Sequence, residues 1–79
     1  MYLHISSPSE KRDIDIAWIE FNTPVGNFVV QPEHAPMVVS LMPMSYVHYR
    51  LTTGKEETKK VIQGVIHVKR DGVTLLVTQ

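Results

Sequence analysis

Apolar residues recur at every second position in several short stretches of the chain. In residues 14–21, the side chains of Ile14, Ile16 and Trp18 share one face, and residues 46–51 show the same alternation. A period of two residues is that of a β-strand that buries one face. Both stretches are therefore predicted to be strands, and Trp18 is expected inside the fold.

The rest of the chain divides in the same way into short predicted strands separated by turn residues. These strands are residues 2–5, 14–21, 28–30, 37–41, 46–51, 56–62, 65–68 and 73–77. The pair Asp71-Gly72 between the last two is a strong hairpin signal. About eight strands without a credible helix predict an all-β fold, a sandwich or barrel of mostly antiparallel strands.

Residues 56–60 form the one ambiguous segment, since Glu56 and Lys60 have the i,i+4 spacing of a helical ion pair. The segment is short, however, and runs into two β-branched residues, with Gly64 shortly after them. β-branched residues favour strands, and glycine near a strand often marks a bend. We therefore predict a charged outer strand here.

The inward positions of the strands define a predicted core. Its members are Ile14, Ile16, Trp18, Val47, Tyr49, Val65, Val73 and Leu75. A chain of 79 residues makes one domain, residues 1–79, and such a domain buries only about 60–65% of its unfolded surface. The core is therefore expected to be thin, without room for a deep catalytic cavity.

The segment Thr23–Pro36 contains three prolines in fourteen residues. Each proline fixes its own φ and favours extended geometry at the residue before it. We therefore expect residues 31–36, the proline loop, to be rigid and extended at one end of the fold. Its exposed side chains, and the candidate partner-binding site, are predicted to be Gln31, Glu33 and His34.

Composition excludes several classes of protein. Eight basic and eight acidic side chains give a formal net charge of zero, which argues against nucleic-acid binding. No cysteine is present, so a disulfide framework and a thiolate metal site are excluded. The longest apolar run, residues 37–44, is far too short for a membrane-spanning helix, and no signal-peptide pattern opens the chain. We expect no direct membrane insertion.

Residues with the potential for chemistry are sparse. The four histidines lie on four different predicted elements: His4, His34, His48 and His67. Without ligand spacing between them, exposed or hydrogen-bonded imidazoles are favoured over a metal site. Asp13 and Asp15 share a strand face, and a solvated face is favoured over a catalytic carboxylate pair. No phosphate-binding glycine loop or nucleophile elbow occurs. We expect no catalytic residue, no metal and no cofactor, a pattern typical of a docking module.

The proline-rich segment also carries a resemblance to a known family. Residues 26–37, Gly-Asn-Phe-Val-Val-Gln-Pro-Glu-His-Ala-Pro-Met, resemble the Gly-x-Phe-Gly-Val-Leu-Pro-Gly-His-Ala-Pro-Leu signature of the epsilon subunit of rotary ATP synthases. Weaker likenesses to the same family follow in the family's order, at residues 2–5, 41–43, 63–68 and 72–76.

The resemblance implies a small antiparallel β-sandwich of about ten strands in two sheets, so 8–10 short strands are expected. It also implies a non-catalytic central-stalk subunit of a proton-translocating rotary ATP synthase, which couples c-ring rotation to the catalytic head through the gamma subunit and the c ring. Such a subunit is peripheral to an energy-transducing membrane, on its cytoplasmic, matrix or stromal face. His34 matches the histidine of the signature, in a loop at the end that faces the ring.

The chain departs from the family where glycine is replaced. Val29, Met44 and Gln63 stand at glycine positions, and because side chains resist positive φ we expect the backbone to differ locally. Glu33 also replaces a glycine. These replacements imply a divergent member of the family or a remote paralogue. The family usually continues beyond the position of Gln79 into a helical hairpin, so a naturally short form or a shortened chain is implied. The alternative is a free-standing β-sandwich module that binds an unrelated protein or a small ligand. An enzyme is a more distant third possibility.

Overall fold

The computed structural model describes residues 1–78, which form eight strands and contain no helix. The strands are β1 (Tyr2–Ser6), β2 (Lys11–Thr23), β3 (Gly26–Val30), β4 (Met37–Ser40), β5 (Ser45–Leu51), β6 (Glu56–Val61), β7 (Gly64–Val68) and β8 (Gly72–Val77). The prediction of an all-β fold with about eight strands is confirmed. The segment with the helical charge spacing is strand β6, as its β-branched continuation indicated.

The strands form two sheets that share β2. This strand is 13 residues long, and it pairs with β1 through its first half and with β3 and β5 through its second. The first sheet has the order β4-β7-β8-β1-β2, and the second continues as β2-β5-β6 with β3 on the other side of β2. Neighbouring strands are antiparallel except β1 and β8, which run parallel with Tyr2 beside Gly72.

The passage of β2 from one sheet to the other requires an irregular step. The pairing of β2 with β5 shifts register between Ile16 and Trp18, the mark of a β-bulge, which inserts one residue and bends the strand. Beyond it Ile19 and Phe21 point inward and are fully buried. Trp18 therefore lies on the outer face of the second sheet, half-buried, with its ring stacked on His48 at a centroid distance of 5.6 Å. The prediction that Trp18 belongs to the core is wrong.

The core lies between the inner faces of the two sheets. Its buried apolar side chains are Leu3, Ile5, Ile16, Ile19, Phe21, Val30, Leu41, Val47, Tyr49, Val61, Ile66, Val68, Val73, Leu75 and Val77. Five of the eight predicted core residues are in this set, and Ile14 is half-buried against it. The prediction that Val65 belongs to the core is wrong, because Ile66 and Val68 take the inward positions of β7 and leave Val65 36% exposed on the outer face.

Charged pairs close one flank of the sandwich, where β6 approaches the start of β2. Arg12 lies 3.6 Å from Glu57, and Lys59 lies 3.6 Å from Glu10. The Tyr49 hydroxyl donates a hydrogen bond to Glu57 at 3.0 Å. Burial and then the neighbouring Glu57 raise the pKa of Tyr49, and Arg12 opposes them. The phenol is therefore held in its neutral form at this flank.

Candidate docking surface at the proline loop

The proline loop contains a tight turn. The backbone N–H of His34 donates to the carbonyl of Gln31 at 3.2 Å, so residues 31–34 close on themselves. Pro32 occupies the second position and Glu33, with φ +70°, the third. A proline followed by a residue of positive φ is the signature of a type II turn. The prediction of an extended loop is wrong, although the rigidity expected from Pro32 is retained.

This turn decides which side chains of the loop face outward. Gln31 and Glu33 are exposed, whereas His34 is half-buried. The Nδ1–H of His34 donates to the carbonyl of Ala35 at 2.7 Å, so one ring nitrogen is used inside the loop. The structure thus presents Glu33 at the tip of the turn, and it holds the His34 ring beside the backbone.

The proline loop lies at the same end of the sandwich as the chain start and the β7–β8 hairpin. The hairpin is confirmed, with Arg70 and Asp71 at its tip and Lys69 bonded back to Gly72. An open depression of about 570 Å³ is lined by Met1, Pro32, Glu33, Arg70 and Asp71. This end therefore combines two carboxylates and one guanidinium around a shallow surface, which suits a polar contact with a partner rather than the enclosure of a small molecule.

A second turn shows how the replaced glycines are accommodated. Met44 has φ +57°, and its N–H donates to the carbonyl of Ile62 at 3.0 Å. Met44 and Glu33 thus adopt left-handed backbone despite their side chains, and the expectation that the backbone departs from positive φ is wrong at both. Val29 and Gln63 do not have positive φ. A residue other than glycine that is held at positive φ indicates that the surrounding hydrogen bonds determine the turn.

The residues considered for metal or acid–base chemistry are separated and otherwise engaged. His4 pairs with Asp13, whereas Asp15 pairs with the N-terminal amine at 3.2 Å, so the two carboxylates have different partners. His48 bonds Glu56 through Nε2 and Thr58 through Nδ1, both at 2.8 Å. Within residues 1–78 no group of three or more such side chains is placed to hold a metal ion.

Comparisons with known proteins show the family to which the chain belongs. The family model for the β-sandwich domain of the ATP synthase delta/epsilon chain matches residues 1–79. The chain belongs to this family. Among curated protein sequences none matches it.

Two solved structures contain chains with the same fold. One is the central stalk and c-ring of the mitochondrial ATP synthase of Tetrahymena thermophila, with a TM-score of 0.85 and 16% identity, over 100% of this chain and 63% of that chain. The other is the mitochondrial ATP synthase of Euglena gracilis with OSCP, F1 and c-ring, with a TM-score of 0.85 and 21% identity, over 98% of this chain and 49% of that chain. At these identities the likeness shows the fold, and this ATP synthase delta/epsilon domain spans about half to two thirds of the chains it matches.

The structure also bears on membrane insertion. None of the part of the chain that the structure describes forms a helix long and apolar enough to cross a membrane.

Proposed function

We propose that this chain is a non-catalytic central-stalk subunit of a rotary ATP synthase, which couples rotation of the c ring to the catalytic head through contacts with the gamma subunit and the ring. The observation that carries the proposal is the family match over residues 1–79. The fold shared with chains from two ATP synthase structures supports it. As such a subunit, it associates with the energy-transducing membrane through the complex, on the face that carries the catalytic head.

The proline loop is the proposed contact with the c ring. Its type II turn fixes the backbone, so little conformational entropy is lost when Glu33 at its tip meets a partner. Arg70 and Asp71 beside it extend the same polar surface. The proposed partner-binding residues are thus Gln31, Glu33 and His34. Charged and polar groups at such a contact set the orientation and specificity of binding more than its affinity.

The test replaces Glu33 and His34 together by alanine and measures association of the domain, in complex with its gamma subunit, with purified c ring. We expect the c-ring association to weaken by at least tenfold. The melting temperature of the isolated domain should change by less than about 5 °C, because Glu33 is exposed and the half-buried His34 ring bonds the carbonyl of the adjacent Ala35, and substitutions outside the core usually cost under about 0.5 kcal/mol. The matched control is Ser9→Ala, an exposed change in the β1–β2 loop at the opposite end.

Undiminished c-ring association of the double variant, with the control equal to the wild-type chain, would remove the proline loop from the contact. A large loss of thermal stability would instead show that His34 and its bond to Ala35 are structural. Failure of the wild-type chain to bind gamma or the c ring would refute the stalk function itself.

A further inference from the structure

The aspartate and asparagine residues of the chain differ in how firmly the fold holds them. Four of the five lie in β2 and β3, and these are Asp13, Asp15, Asn22 and Asn27. Asp13 pairs with His4, Asp15 pairs with the N-terminal amine, and the two asparagine side chains bond each other at 3.0 Å. Asp71 is exposed at the tip of the β7–β8 hairpin. Within residues 1–78 its carboxylate forms no hydrogen bond or ion pair, so it is the unrestrained member of this set.

The residue that follows Asp71 also sets it apart. Gly72 follows it, whereas the other four are followed by larger residues, namely Ile14, Ile16, Thr23 and Phe28. A side chain shields the adjacent peptide nitrogen, and glycine, which has no Cβ, leaves that nitrogen accessible. The hairpin closes with a hydrogen bond from the N–H of Lys69 to the carbonyl of Gly72 at 2.7 Å, and the N–H of Gly72 makes no return bond to the Lys69 carbonyl. The Gly72 nitrogen is therefore not bonded across the turn.

The packing of the first sheet favours glycine at this position. β8 runs parallel to β1 with Gly72 beside Tyr2, and a Cβ on Gly72 would lie 3.0 Å from the Tyr2 carbonyl oxygen. So close an approach leaves little room for even a methyl group. A residue with a side chain, which would shield the nitrogen, is thus disfavoured by the pairing of β1 with β8.

We propose that Asp71 is a site of spontaneous covalent modification, at which the Asp71-Gly72 linkage rearranges to isoaspartate. The Gly72 nitrogen attacks Cγ of the un-ionised Asp71 carboxyl and a C–N bond forms. The N–H proton and the carboxyl hydroxyl leave as water, which gives a five-membered succinimide ring. Water then adds to one of the two ring carbonyls. Opening at Cγ restores aspartate, whereas opening at the former main-chain carbonyl gives isoaspartate, with Cβ in the backbone.

The modification changes the shape of the surface at this end of the sandwich and keeps its charge. Asp71 lines the open depression together with Met1, Pro32, Glu33 and Arg70. Isoaspartate retains one free carboxylate and lengthens the turn by one carbon, so this carboxylate and the Arg70 guanidinium shift relative to Glu33. The inference concerns the chain itself and does not rest on the proposed stalk function.

The measurement is isoaspartate formation in the folded chain during prolonged incubation at pH 6. Cleavage after lysine separates the peptide 70–79, which contains Asp71 alone, from the peptide 12–55, which contains the other four aspartate and asparagine residues. Isoaspartate is detected in each peptide by methyl transfer from S-adenosylmethionine with a protein isoaspartyl methyltransferase. We expect at least ten times more methylation in the peptide 70–79 than in the peptide 12–55.

Two controls separate the effect of the fold from that of the sequence. In Asp71→Glu the charge is kept, but attack by the Gly72 nitrogen would have to close a less favourable six-membered ring, so methylation of the peptide 70–79 should fall at least tenfold. A synthetic peptide of residues 66–76 measures the reaction without the fold. We expect the folded chain to react at no less than one tenth of the rate of this peptide.

The effect on the surface is measured by amide NMR of the purified isoaspartate form. We expect the amide signals of Glu33 and Arg70 to shift, because both residues lie beside the lengthened turn. The signal of Ser9, in the β1–β2 loop at the opposite end, should stay in place and serves as the internal reference.

Methylation of the peptide 70–79 no greater than that of the peptide 12–55 would overturn the inference, as would a folded chain that does not react while the synthetic peptide does. Methylation that persists in Asp71→Glu would place the isoaspartate elsewhere and would also overturn it. Unchanged signals of Glu33 and Arg70 in the modified chain would show that the turn absorbs the extra carbon, and the inferred change of the surface would be wrong. The stalk function is tested separately, by association with gamma and the c ring.

Discussion

Replacement of Trp18 and Phe21 by alanine, one at a time, tests the β-bulge in β2. Both residues are aromatic and lie in the same strand, yet the bulge puts Trp18 on the outer face and Phe21 in the core. A regular strand would give Trp18 the inward position, and its truncation would then cost about 3–5 kcal/mol, as for other large core side chains.

The structure predicts the opposite order of costs. Phe21 is fully buried and its ring stacks on Phe28 at 5.9 Å, so Phe21→Ala should lose about 3–5 kcal/mol through transfer and cavity terms, plus about 0.5–1.5 kcal/mol of ring pairing. Trp18 is half-buried outside the core cluster. Its truncation leaves no internal cavity. A buried aromatic side chain removes about 150–250 Å² from water, so half of that, about 100 Å², costs about 2.5 kcal/mol as an upper value.

The assay is urea unfolding followed by far-UV circular dichroism, because Trp18→Ala removes the only tryptophan. A domain of this size has a total stability of about 4–12 kcal/mol, so Phe21→Ala can be largely unfolded without denaturant. Phe21→Leu, with a smaller expected loss of about 1–2 kcal/mol, then keeps the core position measurable. A loss for Trp18→Ala equal to or larger than that for Phe21→Ala would refute the bulge and restore the regular alternation.

Three further predictions follow from particular contacts. Burial and Glu57 raise the folded-state pKa of Tyr49 above its ordinary 10.0, so the contribution of Tyr49 to the free energy of unfolding is complete below pH 10 and is lost as pH rises through the higher folded value. Urea unfolding at pH 8 and pH 11 should therefore show an alkaline loss of stability that is smaller in Tyr49→Phe, and an equal loss in both chains would contradict this. Glu33→Gly should raise the free energy of unfolding by about 0.5–1 kcal/mol by relieving positive φ, with Ala35→Gly as the destabilising control; a loss in Glu33→Gly would show that the turn is not strained. Gly64→Ala should lower the melting temperature, because its Cβ would lie 2.8 Å from the Leu76 carbonyl oxygen and 3.1 Å from Val61, and overpacking of this kind costs about 1–3 kcal/mol. An unchanged melting temperature would mean that the backbone of β8 shifts to make room for the methyl group.

The sequence by itself determined the strands of this protein. Alternation of apolar and polar side chains is a local property of extended backbone, so the strands were predictable from neighbouring residues. The same holds for the β7–β8 hairpin and for β6, where β-branched residues outweigh the spacing of Glu56 and Lys60. The proline loop was predictable as a rigid element, because proline restricts φ wherever it stands.

Only the tertiary structure decided where along β2 the inward-facing positions shift by one residue and which strand edge remains unpaired. The bulge at Ile16 and Trp18 exists because β2 must serve two sheets, and nothing in a two-residue period records that requirement. Likewise, Met44 and Glu33 hold positive φ because bonds to Ile62 and between Gln31 and His34 close their turns, although their own preferences oppose it. The free side of β4 depends on strand order, a property of pairing between distant segments that local sequence does not encode.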